Sequence, residues 1–337
     1  MIKIKVSTPW THIDFNTRIS DEFNPRYKFY FDDKNEEEFD FWIIWGGIKN
    51  KTETTVCPSQ NIIYLTDEVN EKRFYYQGFL NQFAAVITCR TDLQHTKLIN
   101  NHELNTWMVQ RNYDSLSKSN NIPKSKNISV ICSDHTWLPG HKKRFAFVNK
   151  LSGHFKDRLD VFGRGVNPVN DKFDGLAAYK YSVAIENCFI PGYFTEKLTD
   201  CYLTHTMPVY AGCPDIHNYF DPTSMMVIDM EDFKDAVNKI ERLLEDDPYD
   251  SLLSLIKKQK MQYLESYHIF NKLPLILDQR FLNNLKKEKV TIQSEATFQR
   301  GYSINQYVKY IQRLFRIPGR WQFNINFKQE DLFSNKP

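Results

Sequence analysis

The run Tyr179–Pro214, YKYSVAIENCFIPGYFTEKLTDCYLTHTMPVYAGCP, gathers polar groups at places where chemistry can be done. Tyr181–Ile185 reads as a buried strand that ends in Glu186 and Asn187. Pro191-Gly192 then makes a turn, and Thr195-Glu196 opens a helix with Leu198, Tyr202 and Leu203 facing inward. Thr195 suits the N-cap, because its hydroxyl can accept from a free backbone N–H of the first turn. A helix N-terminus pointing into a cleft offers unpaired N–H groups and the positive end of the macrodipole, a fitting place for a diphosphate. Lys197 adds a full positive charge there, as a leaving group that gains negative charge requires, and Glu196 can accept from ribose or sugar hydroxyls. Taken alone, a Glu-Lys pair in a first helical turn is more often a solvated surface feature.

Two further groups can do chemistry. Arg164, in Gly163-Arg164-Gly165, carries a guanidinium that can grip a phosphate in a bidentate fork, although an arginine in such a turn is commonly on the surface. In NIIYLTDEVNEKRFYYQGFLNQFAAVITC, Ile62–Leu65 reads as a strand with Thr66-Asp67-Glu68 at its carboxyl end, where clefts form in α/β sheets. His135 and His141 flank a Pro-Gly turn in SDHTWLPGHKKR and read as polar loop residues. There is no H-E-x-x-H, no C-x-x-C, no D-x-D on a plausible loop and no P-loop, so no metal site is expected.

Together, YKYSVAIEN, GYFTEKLTDCYLTHTMPVYAG and the preceding DVFGRGVNP (160–168) resemble the donor-binding signature of the α1,3/4-fucosyltransferases, glycosyltransferase family 10. The resemblance implies the GT-B fold and a GDP-fucose donor, with Arg and Lys in place of a metal and no required cofactor. It places Arg164 and Lys197 at the diphosphate, Glu196 at the ribose or fucose, and Asn187 and Tyr193 at the donor more generally. An inverting displacement needs one carboxylate to deprotonate the acceptor hydroxyl. The Ile62–Cys89 run also resembles the family, and the position of its base falls on Glu68, with Asp67 as the adjacent rival. Cys188 and Ile185 depart from the family pattern and leave room for a different GDP-sugar.

The elements that must position these residues follow from periodicity. Apolar, β-branched runs at Ile2–Val6, Phe41–Trp45, Ile62–Leu65, Ala85–Thr88, Ile128–Cys132, Leu159–Phe162, Ser182–Ile185, Pro208–Tyr210 and Met225–Ile228 alternate with helical patterns. Several are apolar almost throughout, as parallel strands covered on both faces are. The fold class expected is α/β: two facing Rossmann-like domains with a cleft between them. The polar segment Asn112–Lys126 reads as a linker. The organisation expected is an acceptor-binding domain over 1–120, a GDP-sugar-binding domain over 126–285, and an extension over 286–337. Pro248 starts a strong helix, Lys286–Arg300 is polar, and SINQYVKYIQRLFRI after it is an amphipathic helix with Lys309, Arg313 and Arg316 on its surface. That helix can dock on the N-terminal domain or touch an anionic membrane.

Composition narrows the function classes. Lys plus Arg number 44 against 41 Asp plus Glu, so the chain lacks the excess positive charge of a general nucleic-acid binder. Aromatics reach 15%, with 25 Phe and 18 Tyr, which fill a large core and also suit packing against sugar rings. The six cysteines lie scattered in apolar surroundings, as buried free thiols in a reducing compartment do. MIKIKVSTPW reads as a first strand rather than a signal peptide, and no long apolar stretch is present. The expectation is a cytoplasmic enzyme, at the inner face of a bacterial membrane, that decorates lipopolysaccharide or a similar glycan. It would move fucose from GDP-fucose to an N-acetylglucosamine- or glucose-containing oligosaccharide. The alternatives are a different GDP-sugar, an inactive glycan-binding protein, and a lipid-surface scaffold. Acceptor and oligomeric state are not legible in the sequence.

Overall fold

A computed structural model describes residues 1–20, 22, 25–31, 38–282 and 284–299. The first sheet contains β1 (Ile2–Ser7), β2 (Tyr27–Phe31), β3 (Phe41–Trp45), β5 (Ile62–Leu65), β6 (Ala85–Thr88) and β7 (Leu98–Asn100), in the order β2-β1-β3-β5-β6-β7. Between β3 and β5 the chain makes β4 (Thr52–Cys57), which stands outside this sheet. Every pairing in it is parallel. The central strands FWIIW, IIYL and AVIT are buried at every residue, because helices and loops cover both faces.

The second sheet contains β8 (Lys126–Ile131), β9 (Asp160–Phe162), β10 (Tyr179–Ile185), β11 (Met207–Ala211) and β12 (Met226–Val227), in the order β12-β11-β10-β8-β9, again all parallel. The helices are α1 (Gln77–Leu80), α2 (Tyr113–Lys118), α3 (Pro139–Phe155), α4 (Glu196–Leu203), α5 (Phe233–Asp246), α6 (Tyr249–Gln262) and α7 (Ile269–Arg280). The α/β class with two parallel sheets is the architecture expected from the strand pattern.

Three features differ from the sequence reading. Within Asn112–Lys126, Asn112 caps α2, and Tyr113 and Leu116 are buried, so the first half of the supposed linker is a packed helix. Its last carbonyls are held by the Lys260 ammonium, which donates to Leu116 O at 2.9 Å and Ser119 O at 2.6 Å. The polar stretch after Lys286 contains β13 (Glu288–Gln293), which pairs antiparallel with β4 and buries Ile292 in the core beside β3 and β5. Finally, α7 lies within the range assigned to the C-terminal domain, yet Ile269, Phe270, Leu273, Ile276 and Leu277 join the core under β1, β3 and β5. An apolar helical face shows that a helix is buried but not against which sheet.

The amphipathic helix expected around Ile304–Phe315 lies outside the described residues. Cys57, Cys89, Cys132, Cys201 and Cys213 are buried and free, and Cys188 is half-buried and free. Among the described residues no helix is long and apolar enough to cross a membrane.

Candidate active site

Aligned strand ends build the first wall. Gly46 N donates to Leu65 O at 3.0 Å, Thr66 N to Ile87 O at 3.2 Å and Asn101 N to Thr88 O at 3.1 Å, so the residues after β3, β5, β6 and β7 share one edge of the first sheet. The second sheet turns its own carboxyl edge to the same space, with Glu186 N donating to Ala211 O at 2.9 Å. A cavity of about 370 Å³ lies between the two edges. The segment after β7 floors it and ties the walls together. Glu103 N donates to Gly192 O at 2.8 Å, Asn105 Nδ2 to Phe194 O at 2.7 Å, and Met108 N to Asp200 Oδ1 at 3.0 Å.

Glu186 organises the second wall. Its carboxylate is fully buried and accepts from Thr195 N at 2.7 Å and from the Thr195 hydroxyl at 3.0 and 2.8 Å. This pins the N-cap of α4, whose hydroxyl also accepts from Lys197 N. The Lys197 ammonium lies 3.3 Å from Glu186, 3.5 Å from Glu196 and 2.9 Å from Thr195 Oγ1. Glu196 is shared with Lys172 at 3.1 Å. Burial works against its ionisation, but Lys172 and Lys197 outweigh burial and hold the carboxylate below its usual range. The cation at the start of α4 is thus fixed in place by a buried carboxylate before any ligand arrives.

Asn187, Tyr193, Glu196, Lys197 and Glu68 all line the cavity, so five of the six site residues expected from the sequence come together. Arg164 does not. Gly163 and Gly165, at φ +140° and +81°, turn the chain sharply after β9, and Arg164 is exposed on the outside of that turn. The arginine in the cavity is Arg144, two turns into α3 at most and buried. It donates through Nη1 to Asn187 Oδ1 at 2.5 Å and through Nη2 to Ser133 Oγ at 3.4 Å, and its Nε has no hydrogen-bond partner among the described residues. Sequence reasoning missed it because Lys142-Lys143-Arg144 looks like a solvated basic run. The available signal was helical phase, since Arg144, Phe147, Val148 and Leu151 share the buried side of α3.

His135 and His141, set aside from the sequence as loop residues, also line the cavity. Burial and the neighbouring Arg144 charge push His141 down to about 4, so it is neutral at physiological pH, and its Nδ1 is buried without a hydrogen-bond partner among the described residues.

Across the cavity the two candidate bases have different surroundings. Asp67 is engaged by Arg73 Nη1 at 2.9 and 3.1 Å and by the Tyr75 hydroxyl at 2.8 Å, and Glu295 anchors the same guanidinium from the far side at 2.7 Å. Its lone pairs are committed to holding the turn. Glu68 pairs with Lys72, four residues on, and feels the Lys197 charge from across the cavity. Burial raises the Glu68 carboxyl above its usual value against the pull of Lys72, which moves it toward the range where a carboxylate works as a base. Glu103, between the walls, is pushed up to about 8 by burial and by the Asp67 charge. Among the described residues no group of His, Cys, Asp and Glu is arranged to hold a metal ion. Cations on one side and a raised carboxylate on the other suit displacement of an anionic leaving group by a hydroxyl.

Residues 122–270 match the family model described as "Glycosyltransferase family 10 (fucosyltransferase) C-term". The chain is 38% identical over 76 residues to the alpha-(1,3)-fucosyltransferase FucT of Helicobacter pylori, covering 22% of this chain and 16% of that protein. It is 30% identical over 110 residues to alpha-(1,3)-fucosyltransferase B of Drosophila melanogaster, covering 33% of this chain and 22% of that one. The chain therefore spans about a fifth of the length of these curated relatives. Among solved structures, a crystal structure of an alpha1,3-fucosyltransferase with GDP-fucose aligns over 79% of this chain and 92% of that chain, at 18% identity and a TM-score of 0.46.

Proposed function

We propose, from the match of residues 122–270 to the glycosyltransferase family 10 model, that the chain is an inverting α1,3-fucosyltransferase using GDP-fucose. The donor diphosphate lies against the N-terminus of α4, with Lys197 and Arg144 as its cations and Glu196 and Asn187 beside the ribose or fucose. Tyr193 backs this wall. The acceptor is a hydroxyl of an N-acetylglucosamine- or glucose-containing glycan that enters from the first sheet. Glu68 takes the hydroxyl proton as the oxygen attacks the anomeric carbon, the bond to the β-phosphate oxygen breaks on the opposite face, and GDP departs with the electron pair. The β-linked donor gives an α-L-fucoside. Arg144 and Lys197 meet the charge that develops on GDP, which is where preorganised cations lower a barrier most.

The observation that carries this reading is the single cavity that sets Glu68 opposite Arg144 and Lys197. The test is transfer from GDP-fucose to N-acetyllactosamine in EDTA, with the product anomer read by NMR. An α-fucoside is expected. The wild-type rate should rise with pH through a Glu68 pKa above 4.5. Glu68→Gln should lower kcat by roughly 10²–10⁴-fold, the usual worth of a general base, with GDP affinity unchanged. A Gln variant as active as wild type would remove Glu68 from the role. Turnover of GDP-mannose in preference to GDP-fucose would replace the donor.

A further inference from the structure

The two walls of the cavity differ in character. The second wall is polar, with Ser133, Arg144, Asn187, Thr195, Glu196 and Lys197, whereas the first carries Trp10, Ile13, Phe15 and Trp45, with Met108 at the floor. Trp45, the last residue of β3, is buried and rests on Phe15 with ring centroids 5.2 Å apart. Trp10 stands edge-on to Trp45 at 4.8 Å and 77°, which fixes the direction its indole faces. Trp10 and Ile13 are only partly buried, and Met108 is 40% exposed, so the aromatic layer is not sealed by the described residues.

Gly46 explains how this layer meets the carboxylates. It sits at φ +70°, and a Cβ there would lie 2.9 Å from the Asp67 carboxyl and 3.0 Å from the Trp10 ring. Only glycine adopts this turn and tolerates this approach without strain. The indole edge, the Gly46 backbone and the Asp67-Glu68 turn therefore converge at one point. An apolar ring face bordered by carboxylates matches a pyranose, whose ring carbons present C–H groups on its faces and hydroxyls around its rim. A nucleotide diphosphate fits the opposite wall, so this face is left for the second substrate.

We propose that Trp10, with Ile13 and Met108, is the acceptor subsite, a stacking platform for the pyranose ring whose hydroxyl is presented to Glu68. This rests on the transferase reading above and adds the acceptor's chemical class: a pyranoside recognised through an open C–H face, independent of any apolar aglycone. Trp10 and Ile13 follow β1, across the cavity from α4, so the platform acts on acceptor binding and not on the donor.

The test compares wild type, Trp10→Phe and Trp10→Ala in transfer to methyl β-lactoside and to octyl β-lactoside, with GDP titrated in parallel. Expected is at least a tenfold rise in acceptor KM for Trp10→Ala with both glycosides, an unchanged GDP affinity and a native far-UV circular dichroism spectrum, and recovery to within a few-fold in Trp10→Phe, which keeps a ring. Quenching of wild-type tryptophan fluorescence by methyl β-lactoside should vanish in Trp10→Phe. An unaltered KM in Trp10→Ala, with wild type active, overturns the platform and leaves the transferase reading standing. A rise confined to the octyl glycoside overturns it too, since the aglycone would then be what covers the ring. A wild type that neither binds GDP nor transfers fucose sinks both.

Discussion

Glu103 is buried in the cavity floor, where its carboxyl accepts from the Cys89 thiol at 3.3 Å and feels the Asp67 and Glu68 charges. Burial and those charges push it up to about 8 from an ordinary 4.5, so the folded protein holds a proton that the unfolded chain has released. Between pH 4.5 and 8 the folded state binds more protons, and stability therefore falls as pH rises through that window, by up to about 1.4 kcal/mol per pH unit. Glu103→Gln mimics the protonated form at every pH. Urea denaturation across pH 5–9 should show this decline in the wild type and a flatter profile in the variant, which becomes the more stable of the two at pH 9. Parallel profiles would mean that Glu103 ionises normally. At this scale the sequence was informative where local chemistry decides. Thr195 as N-cap and Lys197 beside it follow from a turn, a hydroxyl and a helix start. The two arginines show where it stops. Arg164, expected at the diphosphate from guanidinium chemistry and the family resemblance, is exposed, whereas Arg144 hides in a basic run and is buried beside Asn187. Burial is a tertiary property: helical phase with Phe147, Val148 and Leu151 puts Arg144 on the covered side of α3, but no local signal places it in the cavity.

Among the elements, nine apolar runs read from the sequence correspond to β1, β3, β5, β6 and β8 to β12, and the clearest of them, β3, β5, β6 and β11, are buried at every residue. The ones missed are β2, β4, β7 and β13. TETTVC and EKVTIQ alternate between exposed and covered residues, and their pairing joins segments far apart in the chain. The β4–β13 ribbon also bears on the site. It brings Glu295 to Arg73, and Arg73 holds Asp67 and the Gly46 carbonyl, so the turn that carries Glu68 is fastened from the C-terminal side. Ile292 is the residue of β13 sunk into the core, 1% exposed. Ile292→Ala should cost about 2–5 kcal/mol, the usual range for deleting a buried isoleucine side chain. Chemical denaturation followed by far-UV circular dichroism reads this directly. A change under about 0.5 kcal/mol, the scale of an ordinary surface substitution, would show that the ribbon is not part of the cooperative fold.

At the scale of the whole molecule, chemistry is divided between two sheets whose carboxyl edges face one space. The second half supplies Lys197 fixed by Glu186 and Arg144 held by Asn187, the first supplies a carboxylate of raised pKa beside an aromatic layer, and Glu103–Met108 bridges them. The strand pattern was enough to anticipate two such sheets. It could not indicate that α7 returns from the second half to the core of the first, since that depends on which apolar surface the first sheet leaves uncovered. The central claim is that the diphosphate is held by fixed protein cations between these walls, without a metal. Calorimetric titration of GDP in EDTA, on wild type and on a folded Arg144→Ala variant, tests it most directly. The account predicts binding by the wild type and at least tenfold weaker binding by the variant, about 1.4 kcal/mol. Equal affinities, or no GDP binding by the wild type until a divalent metal is added, would contradict it.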